Sequence, residues 1–192
     1  MTAKLPLQAS CQCGQVIFEG VGKPIVTASC YCSDCREVGL RFEALPGSSP
    51  VRDADGGTPV ILYRKDRVRC LAGDHLLDEH RLDPASPTRR VVAACCNSPM
   101  FMDFTRGHWL SLYRHRCGST APPIEMRIMA GEQKSELAPS GDIPAHSGHA
   151  GLMGRLLLAW LAMGFRRPTF PYGRKPSSQL RASRTTRRTG SL

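Results

Sequence analysis

The sequence predicts a mainly β domain of antiparallel sheets, stapled by zinc and followed by one C-terminal helix. Three observations carry that reading. Between residues 60 and 115, six short runs rich in β-branched and apolar residues are separated by turn-forming stretches. Seven of the nine cysteines are grouped: Cys11 with Cys13, Cys30 with Cys32 and Cys35, and Cys95 with Cys96. One strongly apolar run, LMGRLLLAWLAMGF at 152–165, has helical character. A chain of 192 residues suits one domain with an appendage. We divide it into a zinc-binding β domain over 1–130, a linker over 131–151, an amphipathic helix over 152–166 and a basic disordered tail over 167–192.

The elements follow in order. CQCGQVIFEGVG at 11–22 reads as a cysteine turn running into a short strand, with Gly14 free to take the positive φ of a tight turn. IVTASC at 25–30 is β-branched and strand-like. REVGLRFEAL at 36–45 fits either one short helix or a loop, and the Pro-, Gly-, Ser- and Asp-rich residues 46–59 form a surface loop. The strand candidates are VILYR (60–64), VRCLAG (68–73), LLDEHRL (76–82), RRVVAACC (89–96), MFMDF (100–104) and WLSLYRH (109–115). The last carries apolar residues on both faces, so its orientation stays open. Residues 131–151 lose apolar content. The run at 152–165, interrupted by Arg155, is too short to cross a bilayer. It reads as a helix docked on the β domain or on a dimer partner. The alternative is a helix lying at a membrane surface in weak contact, helped by the basic tail.

The formal net charge of +10 is unevenly placed. Residues 166–192 hold eight Lys/Arg and no Asp or Glu, which leaves 18 basic against 16 acidic side chains in the first 165. A near-neutral folded part argues against dedicated nucleic-acid recognition, and the tail alone offers weak, salt-sensitive phosphate contact. MTAKLPLQAS is too short and too polar for a secretory signal. The expected compartment is therefore the reducing cytoplasm, where grouped cysteines bind metal or do chemistry more often than they form disulfides.

Cysteines two or three apart on a turn can aim their sulfurs at one ion. A structural zinc fills four tetrahedral positions, and Cys11, Cys13, Cys95 and Cys96 supply such a set from two distant segments. The competing reading treats buried cysteines as small hydrophobes, more so for Cys95, because adjacent residues seldom both reach one metal. Cys30, Cys32 and Cys35 supply three ligands. Three protein ligands plus an exchangeable position is the pattern of catalytic zinc. Alternatively a distant group closes the site (Cys70, Cys117 or a histidine), or the thiolates hold an iron–sulfur cluster. Cys70 and Cys117 stand alone and read as a core cysteine and a loop thiol. Asp34 and Arg36 flank Cys35. Asp34 is either a proton acceptor or a helix cap, and Arg36 either holds a substrate carboxylate or is a surface charge. The six histidines show no metal-binding spacing.

The order CxCG, then CYCSDCR, then a late CNSP before an apolar strand resembles the GFA-like zinc proteins. That family is named for the glutathione-dependent formaldehyde-activating enzyme and includes the centromere protein V domain. The resemblance covers about residues 10–115, and DADGGTPVILY with VVAACCNSPMF looks more like a bacterial branch than the founding enzyme. It implies an Mss4-like fold and two zinc ions per chain. Cys11, Cys13 and Cys96 match the structural ligands, and Cys30, Cys32 and Cys35 match the catalytic set. The family's late motif is CxxCG; here Ala93 stands three residues before Cys96, and Asn97 replaces the glycine. Cys95 is then the candidate substitute ligand, and Asn97 can take the left-handed conformation of a glycine. The activity implied is carbon–sulfur lyase chemistry on a thiol–aldehyde adduct such as S-hydroxymethylglutathione, with a small thiol as the partner. The contrasting reading is a non-catalytic, zinc-stabilised interaction module.

Overall fold

A computed structural model describes residues 6–132, 143, 145, 146 and 150–172. Among the described residues eleven strands form two sheets, accompanied by two α-helices. A three-stranded antiparallel sheet holds β1 (Leu7–Ser10), β2 (Ile17–Gly20) and β5 (Val68–Ala72) in the order β1-β2-β5. The larger sheet holds β3 (Val26–Cys30), β4 (Thr58–Arg64), β6 (Leu77–His80), β7 (Thr88–Ala93), β8 (Ser98–Phe104), β9 (Trp109–Tyr113), β10 (Met126–Ile128) and β11 (Ala145–His146). Its order is β11-β10-β3-β4-β9-β8-β7-β6. Helix α1 spans Ser33–Glu43, and α2 spans Ala150–Leu161. The predicted mainly β architecture with a C-terminal helix is therefore present, its strands divided between two sheets.

Alternation along the central strands builds two cores. On β4, Ile61 and Tyr63 face the small sheet, where they meet Phe18 of β2, Leu110 and Leu112 of β9, and Phe101 of β8. Val60 and Leu62 face the other way, toward Val38 and Phe42 of α1 and Leu156 of α2. Burial on both faces explains why the β9 sequence carries apolar residues on both sides. The sheet is not wholly antiparallel. β10 runs parallel to β3, and β11 parallel to β10. A parallel neighbour needs a long crossover, and residues 114–125 provide it, starting with a 3-10 turn over Arg114–Thr120.

Several boundaries differ from the sequence reading. Residues 36–45 resolve to a helix that starts earlier, at Ser33, because Cys32 caps it. Cys35, Val38, Gly39 and Phe42 repeat at helical spacing and form its buried face. β7 stops at Ala93 instead of continuing through Cys96, since 94–97 form the hairpin turn into β8. β1, β10 and β11 are too short to signal themselves. α2 begins two residues before 152, and left-handed Gly164 and Phe165 end its final turn.

The basic tail was expected to be disordered from 167, yet Phe170 is 4% exposed and packs on Phe18 and Phe101. Tyr172 donates to Glu79 at 3.0 Å and lies under the Arg89 guanidinium. Two aromatic residues in an otherwise polar stretch suffice to dock it. Most of the predicted linker, with His149, and the tail beyond 172 lie outside the described residues.

Candidate metal centres

Two turns from opposite ends of the β domain meet at the first centre. Cys11 opens a loop closed by Gly14 N–H to Cys11 C=O at 3.0 Å, with Gly14 at φ 78°. The β7–β8 hairpin turn brings Cys95 and Cys96 opposite, closed by Asn97 at φ 52°. Asparagine thus takes the left-handed position expected of it. The two turns are pinned by Gln12 N–H donating to Ser98 Oγ at 3.0 Å. Sulfur–sulfur separations are 3.5 Å for Cys11–Cys13, 3.9 Å for Cys11–Cys95, 3.3 Å for Cys13–Cys95 and 3.8 Å for Cys95–Cys96. Four sulfurs about 2.3 Å from one tetrahedral zinc would lie roughly 3.8 Å from one another. All four lie within 4.8 Å of one another, so this donor set fits one tetrahedral ion, and Cys95 stands among the four where the late motif lacks its first cysteine.

The second centre sits on the helix side of the large sheet. Cys30 ends β3, Cys32 caps α1, and Cys35 lies in the first helical turn. Their three sulfurs also lie within 4.8 Å of one another, with Cys30 and Cys32 at 3.5 Å. Cys32 accepts from the Cys35 N–H at 3.4 Å, so its sulfur takes the role an Asp or Ser plays at ordinary helix starts. Thiols of Cys30 and Cys35 donating to Cys32 push its pKa strongly down, and the helix N-terminus favours the same thiolate. Cys30 and Cys35 move up in turn, through the same sulfur hydrogen bonds and burial. Soft, closely spaced thiolates are a donor set suited to zinc.

Among the described residues no histidine, carboxylate or further cysteine joins these three sulfurs. The distant candidates are engaged elsewhere. His75 is exposed beside Asp74, His80 packs edge-on against Phe42, His108 stacks on Trp160, and His115 bonds Asp53 at 3.0 Å. The two lone cysteines exchange their expected roles. Cys117 is the core residue, at 4% exposure, whereas Cys70 is half-buried on β5 and donates to the Ala72 carbonyl. Asp34 does not cap α1; it is 63% exposed in the first turn. Arg36 is half-buried in that turn.

Sequence reasoning missed two arginines. Arg90, on β7, is 2% exposed and lies on the helix side of the sheet. Its Nη2 lies 3.8 Å from the Asp34 carboxylate, its Nε and Nη1 have no hydrogen-bond partner among the described residues, and its charge helps lower Cys32. Arg116, 9% exposed, stands near the other cluster, where burial lowers its pKa and the charges of Cys96, Cys11 and Cys117 raise it. A zinc with three or four thiolates carries net negative charge, and each cluster has a buried guanidinium beside it. For Arg90 the signal is RR at 89–90 inside an apolar strand pattern, where a charge with no solvent-facing place needs a partner.

Residues 6–44 match the family described as glutathione-dependent formaldehyde-activating enzyme. The match spans Cys11, Cys13 and the whole second centre. A solved structure of a Rhodobacter sphaeroides protein aligns over 73% of this chain and 100% of its own length, at 14% identity and a TM-score of 0.43. No curated protein matches the sequence.

Proposed function

We propose that this GFA-like chain binds zinc at both cysteine clusters, and that the three-cysteine centre is the site of a carbon–sulfur lyase acting on a thiol–aldehyde adduct. The observation supporting this reading is the second centre itself: three converging sulfurs at a helix start, with no fourth ligand among the described residues. Zinc bound there supplies a soft acceptor for a substrate sulfur, with modest Lewis acidity because three thiolates already donate to it.

The chain's own residues do the remaining work. Cys30, Cys32 and Cys35 fix the acceptor at the edge of α1, with Cys32 only partly covered and so reachable from solvent. Arg90 and the α1 N-terminus offset the negative charge that grows as a second anion approaches. For an S-hydroxymethyl adduct, the hydroxyl proton leaves to water and its oxygen closes a carbonyl. The carbon–sulfur bond then breaks, and its electron pair remains on the departing thiolate. S-hydroxymethylglutathione is the adduct that the matched family's description points to. The first centre, with four sulfurs from two distant turns, is structural in this reading. Free thiolates at both centres need a reducing compartment such as the cytoplasm.

Cobalt-substituted protein tests the proposal. Added glutathione should change the sulfur-to-cobalt absorption of wild type. Cys32→Ser should lose that response while retaining a folded protein and the metal at the Cys11 centre. A wild-type spectrum indifferent to thiols would make both clusters structural and leave an interaction module as the better account.

A further inference from the structure

Helix α2 rests on the β domain by a narrow contact. Leu156 is 4% exposed, Leu152 packs beside it, and Arg155 pairs with Glu125 at 2.5 Å. Among the described residues nothing covers its other side. Met153, Leu157, Leu158, Leu161 and, just past the helix, Phe165 remain 47–67% exposed. Met153, Leu157 and Leu161 follow one another at single-turn spacing, with Leu158 alongside, so the four make one apolar stripe. A groove of about 380 Å³ runs beside it, lined by Trp109, Leu157 and Trp160 and flanked by Arg106 and Arg167. The Arg167 guanidinium lies 4.8 Å from the Trp160 ring centre.

Charge selects what covers this stripe. Arg166 and Arg167 follow it directly and are exposed. From residue 143 to 192 the sequence has no Asp or Glu, and eight Lys/Arg lie within 166–192. A second copy seated on the stripe would bring two such basic segments together. An apolar helix face continuous with clustered arginines instead fits a surface that is apolar beneath and anionic above. No helix among the described residues is long and apolar enough to cross a membrane, so contact would be along the surface. We propose that α2 and its groove dock on an anionic phospholipid surface. The stripe enters the boundary between headgroups and acyl chains, and Arg106, Arg166 and Arg167 meet headgroup phosphates.

Vesicle co-sedimentation of the full zinc-loaded chain tests this. Vesicles of phosphatidylcholine containing about 30% phosphatidylglycerol should bind the protein, those of phosphatidylcholine alone should not, and salt should weaken the binding. Leu158→Glu/Leu161→Glu, at two exposed positions, should lower partitioning at least roughly tenfold with zinc content and circular dichroism unchanged. Arg166→Glu/Arg167→Glu should do the same through charge. Failure to bind anionic vesicles, equal binding to neutral ones, or indifference to both double variants overturns the proposal. So does a dimer in light scattering that the leucine variant splits while vesicles remain unbound, which assigns the stripe to self-association.

Discussion

The sulfurs of Cys13 and Cys95, 82 residues apart in sequence, lie 3.3 Å from each other. They join the loop between β1 and β2, in the small sheet, to the β7–β8 hairpin of the large one. A metal held there ties the two sheets at one end of the shared core and closes a long loop of chain.

The staple should therefore be worth much of the fold. Structural zinc contributes on the order of 10–16 kcal/mol in small zinc domains, and losing one of four thiolates should forfeit several of those. Cys95→Ser should lose about one zinc per chain, read by metal analysis, and lower the melting temperature sharply. Cys70→Ser, at a half-buried sulfur that donates to the Ala72 carbonyl outside both clusters, is the control and should leave the zinc content unchanged. A Cys95→Ser protein with full zinc and native melting would remove Cys95 from the ligand set.

The two cysteine clusters are more legible in the sequence than the strands that carry them. Metal ligation needs particular residue types at short spacings, so CxC and CxCxxC announce themselves. Strands of three or four residues such as β1 and β10 have no room to show a period, and their pairing comes from tertiary contacts. The same limit hid the end of β7. Val91, Val92 and Ala93 continue smoothly into Ala94, and only the left-handed Asn97 marks the turn. Phe170 is hidden for another reason: an arginine- and proline-rich context outweighs scattered aromatics in any compositional reading, although Phe170 and Tyr172 together dock the segment.

Phe170 supplies a second prediction. It is buried against Phe18 and Phe101, with ring centres at 6.1 and 5.6 Å. Phe170→Ala should destabilise the domain by about 3 kcal/mol through lost burial and the cavity left behind. Urea denaturation at fixed zinc measures it. A change under about 0.5 kcal/mol would mean that the segment packs too weakly to count as core.

Glu43 gives a pH dependence. Its carboxylate accepts from the backbone N–H groups of Val51 and Arg52, at 3.4 and 3.2 Å, and pairs with Arg52 Nη2 at 2.5 Å. It thereby ties the loop after α1 back onto the helix. Burial works to raise its pKa, but the Arg52 hydrogen bonds and charge outweigh it, and the net shift is downward. A carboxylate depressed in the folded state stabilises fully above its unfolded value and loses that contribution as pH falls through the folded one. Wild type should exceed Glu43→Gln by about 1–2 kcal/mol near neutrality. That gap should close on acidification below the usual glutamate range. A gap that stays constant across this window would show that Glu43 acts through shape and not charge.

Arg90 gives the most discriminating prediction, because its effect should reverse with metal. It is a guanidinium at 2% exposure whose Nε and Nη1 lack hydrogen-bond partners among the described residues, beside the Cys30 cluster. Replacing a poorly paired buried cation with an apolar side chain of similar length is commonly neutral or stabilising. Arg90→Met should then leave the metal-free chain as stable as wild type, or more so. With zinc on three thiolates the cluster is a fixed anion, and the same substitution removes its nearest buried counter-charge. Zinc affinity at the Cys30 centre should fall about 10–100-fold, the usual cost of losing an outer-shell partner. The Cys11 centre, served by Arg116, should hold its metal unchanged. Arg90→Lys keeps the charge and should recover part of the loss. Competition with a zinc chelator resolves the two sites, and denaturation with and without metal gives the stabilities. Equal weakening of both centres, or no rescue by lysine, would mean that Arg90 supports the sheet and not the charge of the site.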